Sequence, residues 1–187
     1  MPGWVALLRA VNVGGSPPVP MAALRERLTR EGYEEVRTLL QSGNVVLRTP
    51  PERAADLERR LEATLSRGLG ITTDVFVRSA SDWHEILLGN PFPREAERDP
   101  SHLVVTVLRG SPTAKAWGSL ASSWEGPERI RGEGRHAYIV YPDGIGRSKL
   151  TLGRIERSLG TRGTARNWNT VQKLDEMVTG GRDEIER

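Results

Sequence analysis

Two stretches of the 187-residue chain gather side chains suited to holding an anion. Asp143-Gly144-Ile145-Gly146-Arg147-Ser148-Lys149 sets two glycines beside a hydroxyl and two cations. Glycines let backbone amides turn toward a common centre, and arginine and lysine add charge-assisted hydrogen bonds. Gly144, Gly146, Arg147, Ser148 and Lys149 therefore read as an anion cradle opening a helix, although the spacing is neither Walker A nor G-x-G-x-x-G. Arg166-Asn167-Trp168-Asn169-Thr170 joins a fork-shaped donor, amides, an indole and a hydroxyl. Such a set can grip phosphate bidentately and stack a base or sugar. Each stretch also has a plainer reading, with Ser148, Thr151, Asn169 or Thr170 capping helices and Trp168 anchoring its segment to a core.

In the first half Arg9 interrupts an apolar run, and Asn12, Gly14, Gly15, Gln41, Ser42, Gly43 and Asn44 supply polar loop residues. These could form a second polar wall or serve as turn formers only. His84, His102 and His136 lie in separate segments without metal-site spacing, so neither a metal nor a cofactor is implied. The absence of cysteine excludes disulfides, thiolate nucleophiles and iron–sulfur clusters. No Ser-His-acid or paired-carboxylate spacing stands out, which leaves His136 and Asp143 as candidates for an acid or base.

Charge is unevenly placed. Basic residues number 27 against 24 acidic ones, and Lys115, Lys149 and Lys173 are the only lysines. Between Gly144 and Lys173 seven cations face Glu156 alone, so the remainder of the chain is net negative and positive charge gathers where the glycines are. With 37% hydrophobic and 27% charged residues the balance is that of a globular, water-soluble chain. The apolar run Trp4 to Leu8 is too short for a signal segment or a membrane span, so a cytoplasmic protein without a membrane partner is expected.

The elements that must position these residues alternate in a readable order. Strand-like runs at Trp4–Val11, Val36–Leu40, Val45–Arg48 and Thr72–Val77 are separated by helical patterns after Pro20 and from Ala54 to Leu65. Ser79 with Asp82 reads as a capping box opening a further helix. After a polar stretch at 94–100, read as a linker, the order repeats, with Gly160 closing a helix and a last helix near Thr170–Val178. This predicts an α+β fold of two ferredoxin-like (split βαβ) units, antiparallel sheets with helices on one face, over residues 1–93 and 94–187. The topology places Asn12–Gly15 beside Gln41–Asn44, and Gly144–Ser148 beside Arg166–Trp168. The central strands Val45–Arg48 and His136–Tyr141 lack the basic-Gly-aromatic signature of sheet-face RNA readout.

Trp4–Gly15, Val36–Val46 and Thr164–Val171 resemble the three strongest motifs of a bacterial family known as domain of unknown function sixteen ninety-seven, over Trp4 to Val178. The chain departs at Ala10 and Val11, where the family often has Gly and Ile. The resemblance implies a two-lobed α+β protein and no established activity. It points to Arg9, Asn12, Gly14, Gly15, Gln41, Ser42, Gly43, Asn44, Ser148, Arg166, Asn167, Trp168 and Thr170. The expectation is a protein that binds an anionic or phosphorylated partner, a nucleotide or other small molecule or a nucleic acid, through Arg147, Lys149, Arg166 and Trp168. An enzyme acting on a small anionic substrate in an interlobe cleft, or a ligand-free scaffold, are the alternatives; oligomeric state is open.

Overall fold

The computed structural model describes residues 1–12 and 18–180. The first half runs β1 (Gly3–Leu8), α1 (Met21–Arg30), β2 (Glu34–Leu39), β3 (Asn44–Arg48), α2 (Ala54–Leu69), β4 (Val75–Ser79) and α3 (Ala80–Leu88). The second runs α4 (Pro93–Arg98), β5 (Leu103–Leu108), α5 (Ala114–Ser123), β6 (Arg129–Glu133), β7 (His136–Val140), α6 (Leu152–Leu159), β8 (Gly163–Asn167) and α7 (Trp168–Thr179). The strands form two four-stranded antiparallel sheets, ordered β2-β3-β1-β4 and β6-β7-β5-β8. A strand inserted between the two that flank a helical crossover is the arrangement the split βαβ order requires.

Two compact units result: the described residues of Met1–Glu85 with Lys173–Arg187, and Ile86–Gln172. In the first, Trp4, Ala6 and Leu8 of β1 join Val45, Leu47, Val75 and Val77 against Leu24 and Leu28 of α1 and Leu57, Leu61 and Leu65 of α2. In the second, Val104, Leu108, Ala137 and Ile139 pack on Trp117, Leu120, Ile155 and Leu159. Period-two alternation on the strands and period-3.6 stripes on the helices supply these matching faces. Val5, Leu7 and Phe76, and Val105 and Val107, are buried on the opposite sheet faces, so the central strands are apolar at consecutive positions.

Local chemistry sets the element ends. Thr113 and Thr151 accept hydrogen bonds from the Ala116 and Arg154 amides to cap α5 and α6, and Gly160 closes α6 at φ 65°. The Asp82 amide donates to Ser79 Oγ at 3.1 Å while the Ser79 amide donates to Asp82 Oδ2 at 3.4 Å, forming the capping box of α3. The polar stretch expected as a linker is helical over Pro93–Arg98, because proline at the first helical position is already set for the helix.

The two units share hydrogen bonds as well as element order. The Leu8 amide donates to Gly43 O at 2.8 Å and the Arg9 amide to Asp74 O at 3.0 Å; in the second unit Leu108 donates to Arg135 O at 2.8 Å and Arg109 to Arg162 O at 2.9 Å. Edge-strand amides meet helix carboxylates in both, Val75 on Glu62 at 2.9 Å and Gly163 on Glu156 at 2.8 Å, which shields the sheet edges. Arg78 and Arg166 occupy matching registers opposite Val5 and Val105, and each turns Nη1 back onto the preceding carbonyl, at 2.7 and 2.8 Å. Two links at one end are longer in the second unit. The β3–α2 link is Thr49–Arg53 but the β7–α6 link is Tyr141–Thr151, and the α1–β2 link is Glu31–Tyr33 but the α5–β6 link is Trp124–Glu128. Among the described residues no helix is long and apolar enough to cross a membrane.

Candidate functional site

In the first unit the polar loop residues hold one another. Asn12 sits at φ 57° and donates Nδ2 to Val19 O at 3.0 Å and Gln41 O at 2.6 Å, while Oδ1 accepts the Val19 amide at 2.6 Å. Asn44 is fully buried and donates to Leu39 O and Ser42 Oγ, both at 3.0 Å. Gly43 adopts φ 75°, and a Cβ there would lie 2.7 Å from Leu8 Cβ. The juxtaposition expected from topology is therefore present between Asn12 and Gln41–Asn44, and its bonds are those of a braced turn. Arg9 lies past the end of β1 rather than within a strand, its carbonyl accepting from Thr73 Oγ1 at 2.6 Å. Gly14 and Gly15 lie outside the described residues.

In the second unit the glycine-rich loop takes a different form from the one its composition suggests. Gly144, at φ 81°, leads into a single 3₁₀ turn, Ile145–Arg147, and α6 begins only at Leu152 under the Thr151 cap. The Gly144 amide donates to Tyr141 O, Arg147 to Gly144 O and Ser148 to Ile145 O. Three of the amides expected to cradle an anion are thus engaged inside the turn, and no α-helix N-terminus stands behind Gly144 or Gly146. The loop instead projects the Arg147 and Lys149 side chains into solvent.

Arg166, Asn167 and Trp168 serve the fold. Asn167 Oδ1 accepts from the Thr170 amide at 3.0 Å and Thr170 Oγ1 at 2.9 Å, making Asn167 the cap of α7 in place of Asn169 or Thr170. Trp168 is buried with its ring tilted against Tyr138 at 6.5 Å, so its indole offers no open face for stacking. Arg166 donates to Thr164 Oγ1 at 2.7 Å, and burial pushes its guanidinium down to about 10, still charged at neutral pH. The β7 exit and the β8 exit reach the same turn, since the Tyr141 amide donates to His102 O at 2.8 Å and the Trp168 amide to Pro100 O at 3.1 Å. Arg166, Asn167 and Trp168 do not line the groove that Arg147, Ser148 and Lys149 line.

A groove of about 490 Å³ lies within the second unit, between Trp124–Glu128 and the loop carrying Asp143 and Arg147–Lys149, with Arg154 from α6. Glu128 joins its two walls. It accepts from Ser148 Oγ through Oε1 and from Trp124 Nε1 at 2.8 Å through Oε2. Burial acts to raise the Glu128 carboxyl pKa, but the hydrogen bonds from Ser148, its own backbone and Trp124 hold it below the usual range. Ser148 Oγ also accepts the Leu150 amide at 2.9 Å, and the Arg154 guanidinium lies 4.8 Å above the Trp124 ring.

Among the described residues Arg147, Lys149 and Arg154 have no carboxylate within ion-pair distance. Of the expected residues, Arg147, Ser148 and Lys149 therefore meet in one place. Trp124, Glu125, Glu128 and Arg154 join them unforeseen; the Gly126-Pro127 turn signal beside a tryptophan was the available clue. His136 begins β7 and Asp143 follows its other end. His84 Nδ1 lies 3.1 Å from Asp175 Oδ2, His102 Nδ1 2.7 Å from Asp99 Oδ2, and His136 meets the Tyr138 ring edge-on at 5.3 Å.

Comparison with solved structures finds the conserved bacterial protein SP0830 from Streptococcus pneumoniae, with TM-score 0.74 and 22% identity over 95% of this chain and 99% of that one. At that identity the likeness shows the shared fold. No curated protein sequence matches the chain. The family model described as "Protein of unknown function (DUF1697)" matches residues 1–138, a span that holds the Trp124–Glu128 wall and ends before Asp143. With 138 of its 187 residues matched, the chain belongs to the DUF1697 family.

Proposed function

We propose that the protein binds a phosphorylated ligand in the groove of its second unit, with Arg147, Lys149 and Arg154 meeting the anion and Trp124 forming a flat wall. The observation that carries this reading is the convergence of three cations, none ion-paired among the described residues, on one concavity of about 490 Å³. That size falls in the ordinary range of small-molecule sites, and arginine forks suit phosphate. The first unit provides an internal contrast. There Arg60 lies over the Tyr33 ring at 5.0 Å much as Arg154 lies over Trp124, but Arg60 is bound to Glu52 at 2.5 Å and Thr49 Oγ1 at 3.0 Å across shorter loops. The cation there is already neutralised; in the second unit it is left for another anion.

Titration calorimetry with pyrophosphate and nucleotides, at low and moderate salt, tests the proposal. Saturable binding that survives moderate salt is expected, and Arg147→Ala or Arg154→Ala should each weaken it by about 1.5–3 kcal/mol, the scale of a hydrogen bond to a charged group. Binding confined to polyanions and abolished by salt would assign a loose nucleic-acid surface instead. Unchanged affinity in both variants would refute the groove as the site.

A further inference from the structure

We infer that Glu128 makes the groove selective for an oxyanion that still carries a proton, inorganic phosphate or the terminal phosphate of a monoester, and excludes sulfate and phosphodiesters. The inference rests on the anion reading above and deepens it. Arginine and lysine side chains only donate, so cations by themselves hold phosphate and sulfate alike. An ionised carboxylate beside them only accepts. It repels an oxyanion whose oxygens are all bare, and it takes a hydrogen bond from one that has a P–OH group.

Glu128 is the carboxylate held in that position. It is half-buried and lines the groove. Its Oε1 accepts from Ser148 Oγ, and Ser148 stands between Arg147 and Lys149 in the chain. Its Oε2 accepts from Trp124 Nε1 at 2.8 Å, and the Arg154 guanidinium lies 4.8 Å above that same indole ring. The carboxylate is thus pinned between the loop that bears two of the cations and the ring over which the third lies. Among the described residues none of the three cations is within ion-pair distance of it, so they do not cancel its charge. The hydrogen bonds from Ser148, its own backbone and Trp124 favour the ionised form, which has no proton to give a bare oxyanion. A carboxylate has about four lone-pair positions, and these donors leave acceptor capacity on it. Glu125 and Asp143 line the groove as well, but both are exposed and, among the described residues, neither carboxylate is hydrogen-bonded, so neither has a fixed place beside the anion.

The test is calorimetry of the full chain, at slightly alkaline pH, with dianions of similar size and equal charge: hydrogen phosphate, which has a proton, and sulfate and monofluorophosphate, which have none. Hydrogen phosphate should bind at least about tenfold more tightly than either, the effect of one charged hydrogen bond. An oligonucleotide without terminal phosphates should not displace it. Glu128→Gln should bring the dianions to within about threefold of one another, because an amide can donate to a bare oxygen. Equal binding of the dianions to the native chain, discrimination that persists in Glu128→Gln or is lost instead in Glu125→Gln or Asp143→Asn, or displacement by the oligonucleotide would each overturn the assignment while leaving the anion groove in place. The native-chain comparison stands whether or not Glu128→Gln folds. If neither these dianions nor pyrophosphate binds, the anion reading falls and this one with it.

Discussion

Replacing Asn12 with alanine separates a turn brace from a ligand contact. The side chain makes three hydrogen bonds, two from Nδ2 to the Val19 and Gln41 carbonyls and one from the Val19 amide to Oδ1, at 2.6–3.0 Å. Each is worth about 1 kcal/mol net, and because the site is only half-buried, water recovers part of that loss. Asn12 also holds φ 57°, a left-handed conformation that asparagine tolerates and alanine resists by about 1 kcal/mol. Together these predict that Asn12→Ala lowers unfolding stability by about 3 kcal/mol. At a urea slope of about 2 kcal/mol/M the midpoint falls by about 1.5 M. Asn12→Asp keeps the acceptor for Val19 and loses both donors, so it should fall between. Pyrophosphate binding to the second-unit groove should be unchanged in either variant. A stability loss under about 1 kcal/mol accompanied by lost binding would refute this account and return Asn12 to the ligand.

Gly43→Ala should cost about 2–4 kcal/mol by the same urea assay, since φ 75° is strained for alanine and the new Cβ would meet buried Leu8 at 2.7 Å; a loss under about 1 kcal/mol would show that the hairpin yields there. The Ser148–Glu128–Trp124 link should respond to acid. Its carboxyl pKa is lowered in the folded chain, so the link's contribution is present above the unfolded value near 4.5 and is lost as pH falls through the folded value. The stability difference between the native chain and Glu128→Gln should therefore be greatest at neutral pH and shrink below about pH 4, whereas a pH-independent difference would show that the charge takes no part.

Where local chemistry decided the outcome, it was legible beforehand. Apolar alternation bounded by glycine turns marked the strands, the Ser79–Asp82 pair marked a cap, and Gly160 marked a helix end. Residue types that serve two purposes were not separable by spacing. Arg166-Asn167-Trp168 has the composition of a phosphate and base site, but the asparagine caps α7 and the indole is buried. Gly144 and Gly146 suit an anion nest as well as a 3₁₀ turn, and i to i+3 bonding within the turn took up the amides. Trp124–Glu128 has no motif of its own. Its meaning depends on the loop across the groove, some twenty residues later in the chain, meeting it in space.

The repeated scaffold gives that groove its weight. Hydrogen bonds at the strand exits, carboxylates on the sheet edges and the back-turned arginines recur between the units, so differences elsewhere are not incidental to an irregular fold. Among them are two loops lengthened at one end of the second unit, which carry Arg147 and Lys149 without an ion-pair partner among the described residues. A buried scaffold constrains its strands and helices through packing, while loops are free to vary and carry recognition. Asn12, Gly43 and Asn44 belong to the first kind of constraint. Arg154 packs over the Trp124 ring, whereas Arg147 and Lys149 have no ion-pair partner among the described residues, and the proposed anionic ligand would give all three cations a common one.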